Sequence, residues 1–196
     1  MAAFTVNSTP TLPTPYAQDL ADIPALQVQN TSIKDAYVND MTIANLVITT
    51  NGTSFIHSGT GNDTITDNSQ TPGYVVINPD GGTNTIHASS NPASHDTIIV
   101  DAEPDAPLPL TDTIIGLKAM DNVLIKGLTA LSPNDFTNAA GGLTLAIHPP
   151  GVTSSATIVL SGYTTSDFAA GRLKIGMPFI STDPNVSSYQ LLQVVR

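Results

Sequence analysis

The sequence contains no cysteine and no tryptophan, and only six of its 196 residues are lysine or arginine. Without cysteine, neither disulfide bonds nor thiolate metal sites can form. Because sixteen residues are acidic and the net charge is −10, the chain has little with which to neutralise a run of phosphates. No apolar run approaches the ~20 residues that a membrane-spanning helix needs. The composition therefore argues against nucleic acid as a partner and against a membrane span.

Glutamate is also nearly absent, since Glu103 is the only one in the chain. Helical surfaces use glutamate freely, whereas aspartate favours turns and ion ligation. Fourteen glycines and fifteen prolines are typical of many short strands and turns. A chain of this length can bury about 70% of its unfolded surface, which is enough for a core without covalent crosslinks. We therefore expect an all-β fold with few helices.

The stretch Ser58–Thr66 combines a sharp turn, oxygen ligands and the start of a strand. Gly59 and Gly61 can adopt backbone angles closed to other residues, which lets the chain turn and aim carbonyl oxygens inward. Asp63 adds a carboxylate, and Ca²⁺ prefers hard oxygen ligands of both kinds. Ile65 stands between two threonines, as in a short half-buried strand. The stretch therefore predicts a calcium-binding turn that leads into a strand.

This stretch resembles the nonapeptide G-G-x-G-x-D-x-U-x of RTX (haemolysin-type) calcium-binding proteins, with Ser58 in place of the first glycine. In that family, successive nonapeptides wind into a parallel β-roll and Ca²⁺ lies between the turns. Shorter echoes follow at 80–86, 94–98 and 112–114, and aligning their Thr-Ile pairs places Asn84, Asp96 and Asp112 at the position of Asp63. The separations of roughly 21, 12 and 16 residues do not match a nine-residue period. We therefore expect one or two degenerate calcium turns within a larger coiled β-structure.

The resemblance implies Ca²⁺ as the cofactor. The candidate metal ligands are Gly59, Gly61, Asp63, Asp80, Gly82, Asn84 and Asp96. The alternative is that these residues form ordinary turns between strands, because turn geometry favours glycine and aspartate for its own reasons.

The domain organisation predicted from the sequence has two parts. Residues 1–25, rich in proline and threonine, form an extended arm. Residues 26–196 form one domain, with parallel β-roll or β-helix-like coils over 57–125 and an antiparallel cap with one or two short helices over 126–196. The arm is expected to pair with a sheet edge of a neighbouring subunit, which predicts self-association.

Apolar residues alternate with polar ones along much of the chain, which predicts short strands. Ser132–Phe136 and Thr164–Phe168 each place a hydroxyl residue three positions before an aspartate, which predicts two capped helix starts. Each phenylalanine is expected to hold its helix against a sheet. The predicted strands are Thr42–Thr50, Ser54–Ile56, Thr64–Thr66, Tyr74–Ile77, Thr85–Ala88, Thr97–Val100 and Thr113–Ile115, then an antiparallel pair at Leu143–Ile147 and Ala156–Leu160, and closing strands at Leu173–Ile175 and Gln190–Val195.

Export is implied by the resemblance. The first residues lack the basic and apolar regions of a cleaved secretion signal. RTX-like proteins leave Gram-negative cells by type I secretion, guided by an uncleaved C-terminal signal, which implies an extracellular or cell-surface location. The apolar stretch Tyr189–Arg196 fits such a signal and fits a final core strand equally well.

Catalytic patterns are not evident. None of His57, His87, His95 and His148 forms the H-x-x-H spacing of a zinc hydrolase, and no G-x-S-x-G elbow occurs. We therefore expect no enzymatic activity, but a secreted calcium-binding structural or adhesive protein of the cell surface or matrix, assembling into filaments or layers and contacting surface polysaccharide. One alternative is the secretion and folding module of a larger RTX enzyme. A second is a small β-helical enzyme acting on polysaccharide through Asp80, Asp96, Asp101 and Asp105.

Overall fold

A computed structural model describes residues 2–5, 35–38, 46–50, 54–69, 72–183 and 186–196. Within these ranges the chain is mostly strand, with a single short helix, α1 (Ser166–Ala169). The strands are β1 (Ala2–Thr5), β2 (Asp35–Val38), β3 (Leu46–Thr50), β4 (Ser54–His57), β5 (Thr64–Asp67), β6 (Gly73–Asn78), β7 (Gly82–His87), β8 (Ser94–Asp101), β9 (Leu110–Ile115), β10 (Asn122–Lys126), β11 (Phe136–Ala139), β12 (Gly142–Ile147), β13 (Ala156–Leu160), β14 (Leu173–Ile175) and β15 (Tyr189–Val194). The expected all-β class is confirmed.

The strands form two mixed sheets. The first sheet has the order β1-β3-β5-β7-β9-β13-β12-β11, and the second has the order β14-β15-β10-β8-β6-β4-β2. From β2 to β10 the chain alternates between the sheets, and each strand pairs in parallel with the strand two positions later. Thr64 pairs with Thr85, which is 21 residues further along.

The C-terminal third changes direction. β11, β12 and β13 pair antiparallel, and β13 joins the first sheet beside β9 in parallel. β15 pairs antiparallel with both β10 and β14 in the second sheet. The predicted antiparallel pair at 143–147 and 156–160 and the closing strands are therefore confirmed, and Tyr189–Val194 is an internal strand of its sheet.

Alternation along the strands places one set of side chains in the core between the sheets. Neighbouring strands contribute isoleucines at matched positions, so that Ile65 lies beside Ile86, and Ile86 beside Ile114. The second sheet supplies the facing row Ile56, Ile77, Ile98 and Val123. All seven side chains are buried, and they belong to one hydrophobic cluster.

The two Asp-Phe elements differ from the prediction in one respect. Pro133–Asp135 is a single 3₁₀ turn, and Phe136 already belongs to β11. The expectation that Phe136 holds a helix against a sheet is therefore wrong. Its ring instead contacts the ring of Phe168, which lies in α1, with 5.0 Å between centroids.

Both elements are held by their aspartate. The carboxylates of Asp135 and Asp167 each accept a hydrogen bond of 2.7 Å from the backbone N–H three residues earlier. The hydroxyls of Ser132 and Thr164 donate to the same carboxylate oxygens. The predicted capping box is therefore present at Ser132, and its aspartate half is present at Thr164.

The predicted arm, residues 1–25, lies outside the described residues except for Ala2–Thr5. That segment pairs in parallel with β3 of the same chain, at one edge of the first sheet. None of the helical segments that the structure describes is long and apolar enough to cross a bilayer.

Because consecutive windings stack closely, we expect a substitution at Gly82 to destabilise the folded protein far more than a substitution at Gly151. Both have positive φ, but a Cβ on Gly82 would lie 2.0 Å from the carbonyl oxygen of Gly61, whereas a Cβ on Gly151 would meet no atom of the described residues within 4 Å. Gly151→Ala should therefore cost only the left-handed strain of about 1–2 kcal/mol. Gly82→Ala should lower the free energy of unfolding by clearly more in urea titrations with chelator, and equal losses would contradict the described stacking.

Candidate functional site

The turns between the two sheets gather at two edges of the structure. The first corner contains the turns that follow β4, β6 and β8, and the second corner contains the turns that follow β5, β7 and β9. Because strands of one sheet are parallel and adjacent, turns at the same corner stack on one another. Side chains that are far apart in sequence therefore meet at each corner.

A row of three buried polar side chains crosses the first corner. The backbone N–H of Asp63 donates to Oδ1 of Asn84 at 3.0 Å. Nδ2 of Asn84 donates to Oδ1 of Asp112 at 3.0 Å and to the carbonyl oxygen of Gly81 at 3.2 Å. We call Asp63, Asn84 and Asp112 the first-corner row. The alignment of Thr-Ile pairs thus placed Asn84 and Asp112 correctly relative to Asp63.

Glycine and aspartate backbones shape the turns around this row. Gly59 and Gly82 have φ of 90° and 91°, and Asp80 has φ of 58°, which is uncommon for a residue with a side chain. Oγ of Ser58 donates to the carbonyl of Pro79 at 2.8 Å, so the turn after β4 lies directly on the turn after β6. Six of the seven predicted ligands, namely Gly59, Gly61, Asp63, Asp80, Gly82 and Asn84, lie at the first corner.

Asp112 is the member of the row that the predicted ligand set left out. It is fully buried, and its Oδ2 receives no hydrogen bond within the described part of the chain. Burial raises the pKa of Asp112 to about 8, although the hydrogen bond from Asn84 acts in the opposite direction. The aligned Thr-Ile pair was the sequence signal that identified it. Asp112 therefore favours either a bound proton or a bound cation.

Asp96 lies apart from the other predicted ligands, at the second corner. Its Oδ2 accepts from the backbone N–H of Ser89 at 2.7 Å, and its own N–H donates to Oδ1 of Asp121 at 2.9 Å. Lys118 places its Nζ 3.1 Å from Oδ1 of Asp121 and 3.9 Å from Oδ2 of Asp96. Burial first, and then a hydrogen bond that protonated Asp96 donates to the carboxylate of Asp67, raise the pKa of Asp96 to about 8.

A single proton shared by Asp67 and Asp96 accounts for the hydrogen bond between their two carboxyl groups. Oδ1 of Asp96 is buried and accepts no hydrogen bond from an N–H or O–H of the described residues. If Asp96 is protonated, its O–H can donate to the neighbouring carboxylate of Asp67, which satisfies the buried oxygen. Sequence reasoning missed Asp67, Lys118 and Asp121, because only the strand register brings them to Asp96.

The four aspartates of the polysaccharide-enzyme alternative do not share one face. Asp96 is at the second corner, whereas Asp80 and Asp101 lie near the first. Oδ2 of Asp101 is 2.9 Å from Nζ of Lys126, which is also 3.4 Å from Glu103. Asp105 is exposed in the loop after β8.

Carboxylates alone do not make a metal centre at either corner. Across residues 54–69, 72–183 and 186–196, no three histidine or acidic side chains are arranged to hold a metal ion. A divalent ion at the first corner would therefore need amide and carbonyl oxygens beside the carboxylates, which is a ligand set that Ca²⁺ accepts.

Comparison with known proteins gives no further assignment. No protein family, curated protein or solved structure matches this chain. The RTX resemblance therefore depends on the residues quoted above.

The buried carboxyl groups predict that stability falls as pH rises. Unfolded Asp96 titrates near its ordinary value of 3.8, whereas folded Asp96 keeps its proton to about pH 8, so between these values the unfolded state binds fewer protons. In chelator, the free energy of unfolding should fall through this window, by up to about 1.4 kcal/mol per pH unit for each such group. Asp96→Asn should flatten the slope measured by urea titration from pH 5 to 8. An unchanged slope would contradict protonation of Asp96.

Proposed function

We propose that this chain is a secreted, RTX-like calcium-binding protein with a structural or adhesive role at the cell surface or in an extracellular matrix. We further propose that its winding strands form a coil of the β-roll or β-helix type, with Ca²⁺ bound at the first corner. The observation that carries the proposal is the first-corner row, in which Oδ2 of Asp112 is buried beside stacked glycine turns and receives no hydrogen bond from the residues that the structure describes.

Electrostatics supports a cation at this row. Asp63 and Asp112 are separated by a neutral amide, and both are removed from water. Burying the carboxylate of Asp112 is costly, so the metal-free protein must either hold a proton there or lose stability. A divalent ion would remove this cost, and the ionisation it requires would release protons as it binds.

Calcium binding would also make folding depend on whether the chain is in the cytosol or outside the cell. The cytosol is poor in Ca²⁺ and the exterior is rich in it, so a chain that gains stability from the ion would stay loosely folded until export. A ligand present at a hundred times its dissociation constant stabilises the folded state by about 2.7 kcal/mol. This gain is a large fraction of the stability of an ordinary domain.

Self-association is proposed through the edge of the first sheet. Ala2–Thr5 pairs with β3 in the same chain, through parallel strand contacts that an identical segment from another copy could make equally well. Exchange of this strand between copies would join them without a new type of contact. Such exchange suits a filament or a layer.

The calcium proposal predicts a rise in melting temperature with millimolar Ca²⁺ relative to EGTA, and a smaller rise with Mg²⁺, which demands stricter geometry. Asp112→Asn should remove most of the Ca²⁺-dependent shift, because it removes a carboxylate from the first-corner row. The exposed control Asp183→Asn, in the segment between β14 and β15, should keep the full shift.

Differential scanning calorimetry at pH 7.5 would measure these shifts. Absence of any Ca²⁺ effect on the unaltered chain would overturn the calcium proposal. An Asp112→Asn variant that keeps the full shift would place the ion elsewhere.

The assembly proposal predicts particles larger than a monomer in light scattering. Deleting residues 2–5 should leave monomers, because the edge at β3 then has no strand to receive from a neighbour. Replacing the same four residues by Gly-Ser-Gly-Ser keeps the chain length and should have a similar effect. Assembly that continues unchanged after either alteration would exclude strand exchange.

A further inference from the structure

The outer face of the first sheet carries threonines in matched rows. Thr64, Thr85 and Thr113 occupy equivalent positions on β5, β7 and β9. Thr83, Thr111 and Thr157 form a second row across β7, β9 and β13, and Thr144 pairs with Thr137 at the far edge. We call this surface the threonine face; its described members are Thr64, Thr66, Thr83, Thr85, Thr111, Thr113, Thr137, Thr144 and Thr157.

These side chains point away from the core. They alternate with the buried residues Ile65, Ile86 and Ile114, and each is half-buried or exposed. Parallel strands lie about 4.8 Å apart, and alternate residues along a strand lie about 6.6 Å apart. The hydroxyl and methyl groups of the paired threonines therefore repeat in two directions across the sheet.

The threonine face carries no charge in a chain that is strongly acidic. The other outward positions described on β5, β7, β9 and β11–β13 hold small, apolar or imidazole side chains, namely His87, Ile115, Ala139, Gly142, Ala146 and Val159. Threonine pairs stabilise sheets in their own right. Sheet stability alone, however, does not require every charged residue to lie elsewhere.

The side chains of the threonine face limit which ligands it can bind. A sugar-binding platform needs aromatic rings for stacking, and the described positions of the face hold none. An uncharged face offers nothing to an ion, a phosphate or a charged protein surface. Its complement is an uncharged partner whose hydrogen-bonding groups repeat in two dimensions.

We propose that the threonine face binds ice. The two repeats of the face are close to oxygen–oxygen repeats of the ice lattice, so hydroxyls can hydrogen-bond to lattice water while methyl groups occupy the spaces between. Each contact is weak, and binding depends on many of them being in register. The inference does not rest on the calcium proposal, because the threonine rows belong to the strands and not to the corners.

One edge of the threonine face borders a cleft. The loop around Leu108 and Pro109 borders a cleft of about 450 Å³ lined by Thr83 and Thr111. The row of Thr64, Thr85 and Thr113 does not line this cleft. The central row is therefore the part to alter in a test.

Thermal hysteresis and inhibition of ice recrystallisation would test the proposal with the full chain at saturating Ca²⁺. The unaltered protein should show both effects. Thr85→Tyr should abolish them, because a ring protruding from the central row keeps the neighbouring hydroxyls off the lattice. Thr129→Tyr, at an exposed position in the loop after β10, should keep both effects.

Melting temperatures of the variants would show that each still folds. If Thr85→Tyr fails to fold, Thr113→Lys provides a second test, because it places a long charged side chain on the same row. Absence of hysteresis in the unaltered protein would overturn the proposal. Full activity in a folded central-row variant would also overturn it, as would retention on insoluble cellulose or chitin without any effect on ice.

Discussion

The parallel pairing of each strand with the strand two positions later is the constraint on which the rest of the structure depends. In such a winding, a residue lies directly against the residue at the same position of the next turn. Isoleucine on isoleucine and threonine on threonine pack well in this arrangement. Aspartate on aspartate does not, because like charges held about 5 Å apart repel each other in a buried site. The placement of acidic residues is therefore the difficult part of this fold.

The two corners meet this difficulty in different ways. At the first corner, Asn84 separates Asp63 from Asp112 and offers an amide to each side. At the second corner, Lys118 approaches both Asp96 and Asp121, and a proton on Asp96 removes one of the remaining charges. Asn84 is a neutral spacer within the first-corner row, whereas the second corner places Lys118 beside its aspartates. This difference is why the calcium proposal concerns only one of them.

Much of the fold follows from local sequence, and much of the site does not. Alternation of apolar and polar residues predicts most strands from Ser54 onward, though not β10 or β11, and it predicts the antiparallel pair at 143–160, because burial of one face is a local property. The capping pattern predicts a helix before Phe136, since such a pattern cannot reveal that the ring packs on Phe168. The Thr-Ile alignment groups Asp96 with Asp63, because a Thr-Ile pair looks the same in either sheet. Only the alternation of strands between sheets separates the two.

Variable turn lengths explain why no strict period is visible in a regular winding. The turn between β8 and β9 is longer than the turn between β6 and β7, yet Asp112 still lies beside Asn84. Extra residues are absorbed at the corner, while the strands keep their register because their core side chains must match. Corners are thus free to vary in sequence and ligand content, whereas the sheet faces must repeat. A function that needs a regular array belongs on a face, and a function that needs a particular set of ligands belongs at a corner.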